Sequence, residues 1–517
     1  MRKSETFLFG VTTGIAVVAT VQYLVQLASY AFPQQKTTSS GIIKPVPVRF
    51  KQSEEPVADT AANSEVGSSV TLSRPPSPKS SLPSVLETLD NQLVVSSSKL
   101  QKIVLHMVSE FKKGLMNDNE NIAMLPSFVV NRPNGTEVGD YLALDLGGSN
   151  FRVCRVTLEG FGNIRMTHAK YTVSNELKTG SGEKLFDFFA ECIGSFCKNQ
   201  GLDTGKSIPM GFTFSFPVEQ TAINKGTLMT WSKGFICDGV VGQDVVDLLQ
   251  RSLKKKGLNI EIKALVNDTV GTLMAHAYSD PQTYISVILG TGTNAAYVEK
   301  VDNIRKWGTG NGEVIINTEW GNYNEATILP LTPWDLKLDR RSSNPKHQIY
   351  EKMISGMYLG EIVRLILVEL VKAGELFNGM GSQTLSTPYR FDTAYMSRIE
   401  RDHSLSLADT KQVLEDVMGV PKSSVEDRRI VRHVCELVGT RAARLAAAGI
   451  AALVTKINRL DACTVAIDGS LYEHYPHFGN RMRDALRELL GITAENILLE
   501  QARDGSGQGA ALIAALA

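Results

Sequence analysis

Apolar residues along this chain fall into short runs of strand length, broken by glycine turns and by longer stretches with helical spacing. Strands are predicted at residues 141–146, 151–158, 208–214, 260–266, 284–289, 295–299, 314–318 and 464–467. Several are followed by helix-patterned segments, which makes the fold class α/β. Residues 142–156 and 285–298 share one design: a strand, a glycine turn (Gly147-Gly148-Ser149, then Gly290-Thr291-Gly292-Thr293) and a return strand. That repetition predicts a duplicated core whose two turns clasp one nucleotide. The alanine-rich run 428–457 is long enough for a membrane span, but Arg441, Arg444 and Lys456 mark it as an amphipathic or core helix.

The amino terminus has a different pattern. Residues 7–32, bounded by Phe7 and Phe32, carry no charge, with Arg2 and Lys3 before them and Lys36 after. As a helix such a run reaches ~39 Å, more than the ~30 Å of a bilayer's hydrocarbon core. It reads as an uncleaved membrane anchor. A cleaved secretory signal is the alternative, with Ser29-Tyr30-Ala31 as the cleavage site, but the run is long for a signal's apolar region. Residues 33–85 are rich in Pro, Ser, Thr and Gln and poor in large apolar residues, so they read as a disordered tether spanning on the order of 40 Å. Ser77-Pro78 in it is a candidate phosphorylation site.

Composition narrows the function classes. The 517 residues include 54 basic and 54 acidic side chains, so no global positive field supports nucleic-acid binding. Six cysteines (Cys154, Cys192, Cys197, Cys237, Cys435, Cys463) are scattered without a metal-ligand spacing, as expected of reduced, buried thiols in a cytosol-facing domain. His474 and His477 lie among aromatic and proline residues and read as loop residues rather than metal ligands.

Within this frame, Asp145-Leu-Gly-Gly-Ser-Asn150 is a candidate site for a metal-bound phosphate. Glycines at the turn leave backbone N–H groups open to a phosphate, and an Asp at the strand end can orient Mg²⁺ or its waters. Ordinary hairpin chemistry also produces Asp-x-Gly-Gly, so the motif alone leaves both readings open.

Further segments follow in order: Gly211-Phe-Thr-Phe-Ser-Phe-Pro217, Trp231-Ser-Lys-Gly-Phe235, Ala264-Leu-Val-Asn-Asp-Thr-Val-Gly-Thr272, Ile316-Asn-Thr-Glu-Trp-Gly321, Tyr350-Glu-Lys-Met-Ile-Ser-Gly-Met-Tyr-Leu-Gly-Glu361, Ile467-Asp-Gly-Ser-Leu-Tyr472 and Asp504-Gly-Ser-Gly-Gln-Gly-Ala510. The ordered set resembles the hexokinase family over essentially all of residues 86–517, as an amino-terminal region (86–278) and a carboxy-terminal one (279–517). The resemblance implies an actin-like ATPase fold, two α/β lobes with sugar and ATP in the cleft between them. It implies ATP-dependent phosphorylation of a hexose, glucose foremost, at the 6-hydroxyl, with Mg²⁺. Asp268 then matches the general base, and Lys233 both contacts sugar and places charge near the transferred phosphoryl group. Ser215, Ser232, Asn267, Glu319 and Glu351 map onto sugar contacts. Asp145 (holding Mg²⁺ indirectly), Gly147, Gly148, Ser149, Asn150 and Arg152 resemble the first phosphate loop. Gly290, Thr291, Gly292 and Thr293 resemble the second. Asp468, Gly469, Ser470, Gly505, Ser506 and Gly507 resemble the adenosine side. Lobe closure over the ligands is expected to exclude water, a competing phosphoryl acceptor.

The chain departs from the family pattern at a few places. Ser149 and Ser232 stand where Thr is usual. The segment after Glu319-Trp320-Gly321 is one residue short and lacks a Phe-Asp pair, Lys346 occupies a Gly position before Glu351, and Val241 replaces a Glu. If that Gly supplies a positive φ, Lys346 is expected to distort the loop carrying Glu351. Two readings follow: an active membrane-tethered hexokinase, or a hexokinase-like sugar or nucleotide sensor with little turnover. The basic flank and moderate apolar span resemble signal-anchored proteins of the mitochondrial outer membrane, with the endoplasmic reticulum as the alternative.

Overall fold

A computed structural model describes residues 82–147, 150–231, 233–308 and 310–517. The anchor at residues 7–32, the tether up to residue 81, and Gly148, Ser149 and Ser232 lie outside the described residues. The strands are β1 (Leu125–Pro126), β2 (Val138–Leu146), β3 (Asn150–Gly160), β4 (Asn163–Thr172), β5 (Ile208–Phe214), β6 (Val218–Ala222), β7 (Lys225–Leu228), β8 (Ile260–Val266), β9 (Thr283–Leu289), β10 (Thr293–Lys300), β11 (Glu313–Asn317), β12 (Cys463–Asp468) and β13 (Ile497–Gln501). The helices include α1 (Leu82–Leu93), α2 (Ser97–Met116), α3 (Asp268–Ser279), α4 (Gly356–Lys372), α5 (Val425–Ile457) and α6 (Gly505–Leu516).

Two mixed sheets carry the lobes. One has the order β4-β3-β2-β5-β8, the other β1-β11-β10-β9-β12-β13. Leaving out the two-residue β1, they are the same design. Each starts with an antiparallel hairpin (β2–β3, β9–β10), adds an antiparallel edge (β4, β11), and continues on the other side with two parallel strands. This is the duplication that the two glycine turns predict. β1, β4, β6, β7 and β13 were not predicted. β4 is an edge strand with alternate residues only half-buried, so its sequence Asn-Ile-Arg-Met-Thr-His-Ala-Lys-Tyr-Thr lacks an apolar run.

Both sheets are covered on two faces, which is why their central strands read as near-continuous apolar runs. On β2, Leu142, Leu144 and Leu146 pack into the first lobe's core, while Ala143 faces the opposite way. On β10, Ala295 and Tyr297 enter the second lobe's core, while Ala296 and Val298 join Ala143 in a third, shared core. Helices α3 and α6 contribute to that shared core, with Val270, Leu273 and Met274 from one and Ala510 to Ile513 from the other. They approach through glycine: a Cβ at Gly509 would lie 1.9 Å from the Gly271 carbonyl oxygen.

Helix α5 has the length and apolar composition of a membrane span, yet it is the buried axis of the second lobe. Arg441, 1% exposed, makes a bidentate pair of 2.7 Å bonds with Asp335, whose carboxylate also closes the capping box of Thr332. The core-helix expectation describes this segment. Helices α1 and α2 pack against α5, and Val85 is already in the core. All six cysteines are buried and free, and burial pushes the Cys154 thiol up to about 12.

Candidate active site

Gly147, the second glycine turn and the heads of α3 and α6 come together where the lobes meet. Asn267 directly follows β8 and caps α3 by accepting the Thr269 N–H at 2.9 Å. The adjacent Asp268, first residue of the helix, accepts the same N–H through Oδ1 (2.8 Å) and the Ser215 hydroxyl through Oδ2 (3.2 Å). Lys233, in the left-handed region at φ +55°, donates to the carbonyls of Ser215 (2.6 Å) and Gly147 (3.0 Å). It thereby ties the expected base to the first turn.

Across the interface, Glu319 (φ +54°) holds its carboxylate with Asn317 (2.8 Å) and Asn294 (3.3 Å). Glu351 accepts the Thr293 N–H at 3.0 Å. Burial raises Asp268, Glu319 and Glu351 above the usual carboxylate range, Glu351 to about 7, and Lys233 opposes the rise in each. The three carboxylate residues are half-buried, and the charge of the exposed Lys233 acts on all of them.

Asp145 is buried at the end of β2. Its Oδ2 accepts from Arg152 (2.6 and 3.1 Å) and from the Ser506 hydroxyl at 2.9 Å, while Arg152 also pairs with Asp504. Its Oδ1 takes no bond from the described residues. Asp468, raised to about 6 by burial, accepts the Gly469 N–H at 2.7 Å and also bonds the Gly505 backbone. Gly469 (φ +121°) lies against the second turn, where a Cβ would meet the Leu289 carbonyl oxygen at 2.4 Å. Only glycine fits that approach. Asn150 is exposed and bonded to Thr172 on β4, and Ser470 is exposed at the start of a short helix. Neither joins this network among the described residues. Gly505 abuts Thr272 and Gly507 abuts Cys154, so both glycines serve helix packing as well.

Asn294, Asn317 and Asp504 are site residues that the sequence reading did not single out. Asn294 directly follows the second turn, Asn317 stands two before Glu319, and Asp504 opens the last motif; adjacency was their signal. The altered loops are bound to the site. Within the shortened segment, Asn324 accepts the Ile349 N–H (2.8 Å) and the Tyr323 carbonyl accepts the Tyr350 N–H (3.2 Å), fixing the short helix that carries Glu351. Lys346 does take a positive φ, +67°, and the turn is held by bonds: Asp339 accepts its N–H at 2.9 Å and is anchored by Lys352 at 2.8 Å. The cost is about 1 kcal/mol of left-handed strain. Val241 is a surface residue, 52% exposed.

Two family models, both described as hexokinase, match residues 85–278 and 284–516. The chain belongs to the hexokinase family. It is 41% identical over 438 residues to hexokinase-1 of Schizosaccharomyces pombe and 42% identical over 445 residues to hexokinase-1 of Saccharomyces cerevisiae, covering 83% of this chain and 90 to 91% of those proteins. A hexokinase from Schistosoma mansoni, solved in complex with glucose, is 42% identical with a TM-score of 0.78, covering 84% of this chain and all of that one. As a hexokinase-family enzyme, the protein has the two-lobed actin-like ATPase fold.

Proposed function

We propose that this hexokinase-family chain transfers the terminal phosphoryl group of ATP to the 6-hydroxyl of a hexose, glucose foremost, with Asp268 as general base. The observation that carries the reading is the Asp268 carboxylate: half-buried, raised in basicity by that burial, oriented by Ser215 and Thr269, with the Lys233 ammonium held on the Ser215 carbonyl. A carboxylate so placed is a better proton acceptor than a solvated one. Glu319 and Glu351 supply acceptors suited to sugar hydroxyls, and Asn294 and Asn317 hold Glu319 in place. Lys233 brings positive charge to the edge of the first turn, where charge develops during transfer.

Mg²⁺ fits the donor set at Asp145, a buried carboxylate with one oxygen paired to Arg152 and the other open to a hydrated hard cation. When bound, the ion neutralises phosphate charge. The residues of the chain then orient the acceptor hydroxyl, accept its proton and exclude water.

Asp268→Asn is expected to lower kcat by ~10²- to 10⁴-fold while glucose still binds. A coupled assay of glucose-dependent ADP formation, with calorimetric glucose titration, checks this; a variant keeping a tenth of wild-type turnover removes Asp268 as base. The second reading, a sensor with little turnover, draws on the left-handed Lys346 and the shortened loop beside Glu319. Wild-type protein that binds glucose but forms no ADP would favour it. We also propose that residues 7–32 anchor the enzyme in a membrane, the mitochondrial outer membrane before the endoplasmic reticulum, with residues 82–517 facing the cytosol; the uncharged apolar run and its basic flank support this.

A further inference from the structure

The start of helix α4 holds the second glycine turn in an unusual way. Ser355 stands at its amino-terminal cap position, where a serine hydroxyl ordinarily accepts a first-turn N–H. Here it caps nothing, and its fully buried oxygen has no hydrogen-bond partner among the described residues. The first-turn donors are engaged elsewhere: Gly356 N–H donates to the Gly290 carbonyl at 2.8 Å and Met357 N–H to the Thr291 carbonyl at 3.2 Å. The turn's carbonyls cap the helix. At the turn's other end, the Thr293 N–H donates to Glu351 at 3.0 Å, and a Cβ at Gly292 would lie 2.7 Å from that same carboxylate oxygen. Glu351 and Ser355 are one helical turn apart and joined by a 2.8 Å backbone bond.

We infer that residues 351–357 form a clasp within one lobe that couples hexose occupancy at Glu351 to the geometry of the turn at Gly290–Thr293, so that hexose and nucleotide tighten each other's binding independently of lobe closure. The inference rests on the reading of Glu351 as a hexose contact. A sugar hydroxyl donating to Glu351 immobilises a carboxylate that already holds Thr293, and the helix start holds the other two peptides of the turn. Fixing the turn from both ends aligns its free N–H groups before the nucleotide arrives. By linkage, the nucleotide favours the same carboxylate position for the sugar. Met357 and Gly356 are positioning residues here, acting through their backbones.

The test is the dissociation constant of a non-hydrolysable ATP analogue with Mg²⁺, measured on the full chain with and without saturating glucose. Gly356→Ala places a methyl 2.9 Å from the Gly290 carbonyl oxygen and displaces the turn without touching Glu351. Its glucose affinity is expected within about twofold of wild type, while the ratio of the two analogue constants falls at least ~5-fold, the lower end of typical coupling. Met357→Ala keeps the N–H and is expected to leave the ratio unchanged. A Gly356→Ala ratio equal to wild type overturns the clasp. Hydrogen exchange on wild-type protein gives a second reading free of folding effects: glucose alone should slow exchange at Thr293, Gly356 and Met357, and unchanged exchange there, with glucose bound, also overturns it. Absence of any glucose binding by wild type would instead refute the hexose reading itself.

Discussion

Glu351 concentrates the electrostatics of the site in one side chain. Its ordinary pKa of 4.5 rises to about 7 in the folded chain because burial disfavours the charge. Between these values the folded state holds more proton than the unfolded one, so this group lowers sugar-free stability progressively as pH rises from 4.5 to 7, and makes no difference below. Glu351→Gln is therefore expected to stabilise the sugar-free protein by ~1–3 kcal/mol at pH 8 and by little at pH 4.5. Thermal unfolding across that range decides: an equal shift at both ends would show a packing effect and not relief of a buried charge. The same burial makes the carboxylate a strong partner for hydroxyl donors once sugar replaces water.

At the scale of elements, the site depends on how closely α3 and α6 approach, since α3 carries Asp268 and α6 carries Ser506. The contact is backbone against backbone at Gly271 and Gly509, and β5 meets α6 in the same manner, with a Cβ at Gly211 lying 2.0 Å from the Ala510 carbonyl. Backbone cannot yield as a side chain can. Gly509→Ala is expected to cost about 1–3 kcal/mol or more and to lower kcat by displacing Ser506 from Asp145. Denaturant unfolding and turnover of the variant check both; a variant with wild-type stability would mean the helices can separate freely. The glycine-rich motif at residues 505–509 looks in sequence like a ligand loop, and much of its glycine content serves this packing.

For the whole molecule, the chain crosses between lobes more than once. Helices α1 and α2 belong with α5 in the second lobe, β2 to β8 build the first, and α6 returns from the second lobe to lie between both sheets. Neither lobe is therefore a continuous segment. Residues 7–32 carry the proposed anchor, so removing residues 1–81 is expected to move the protein from membrane to soluble fractions with kcat unchanged. Fractionation and turnover of the truncated and full-length chains check this, and a full-length protein found in soluble fractions would end the anchor proposal.

The sequence by itself determined the α/β class, the duplicated hairpins and the core nature of α5, and it named many of the side chains that the fold brings together, because strand alternation, glycine turns and short ordered motifs are local properties of the chain. Only the tertiary structure decided which groups restrain one another. Arg152 reaches Asp504 across more than half the chain, Asn317 and Asn294 converge on Glu319, and the start of α4 is capped by a turn that precedes it by sixty-odd residues. The effect of Lys346 was undecidable from its neighbours, since Asp339 and Lys352 hold that turn through folded contacts. Such contacts depend on packing between elements distant in sequence, and burial, which sets the basicity of the carboxylates, exists only once those elements have assembled.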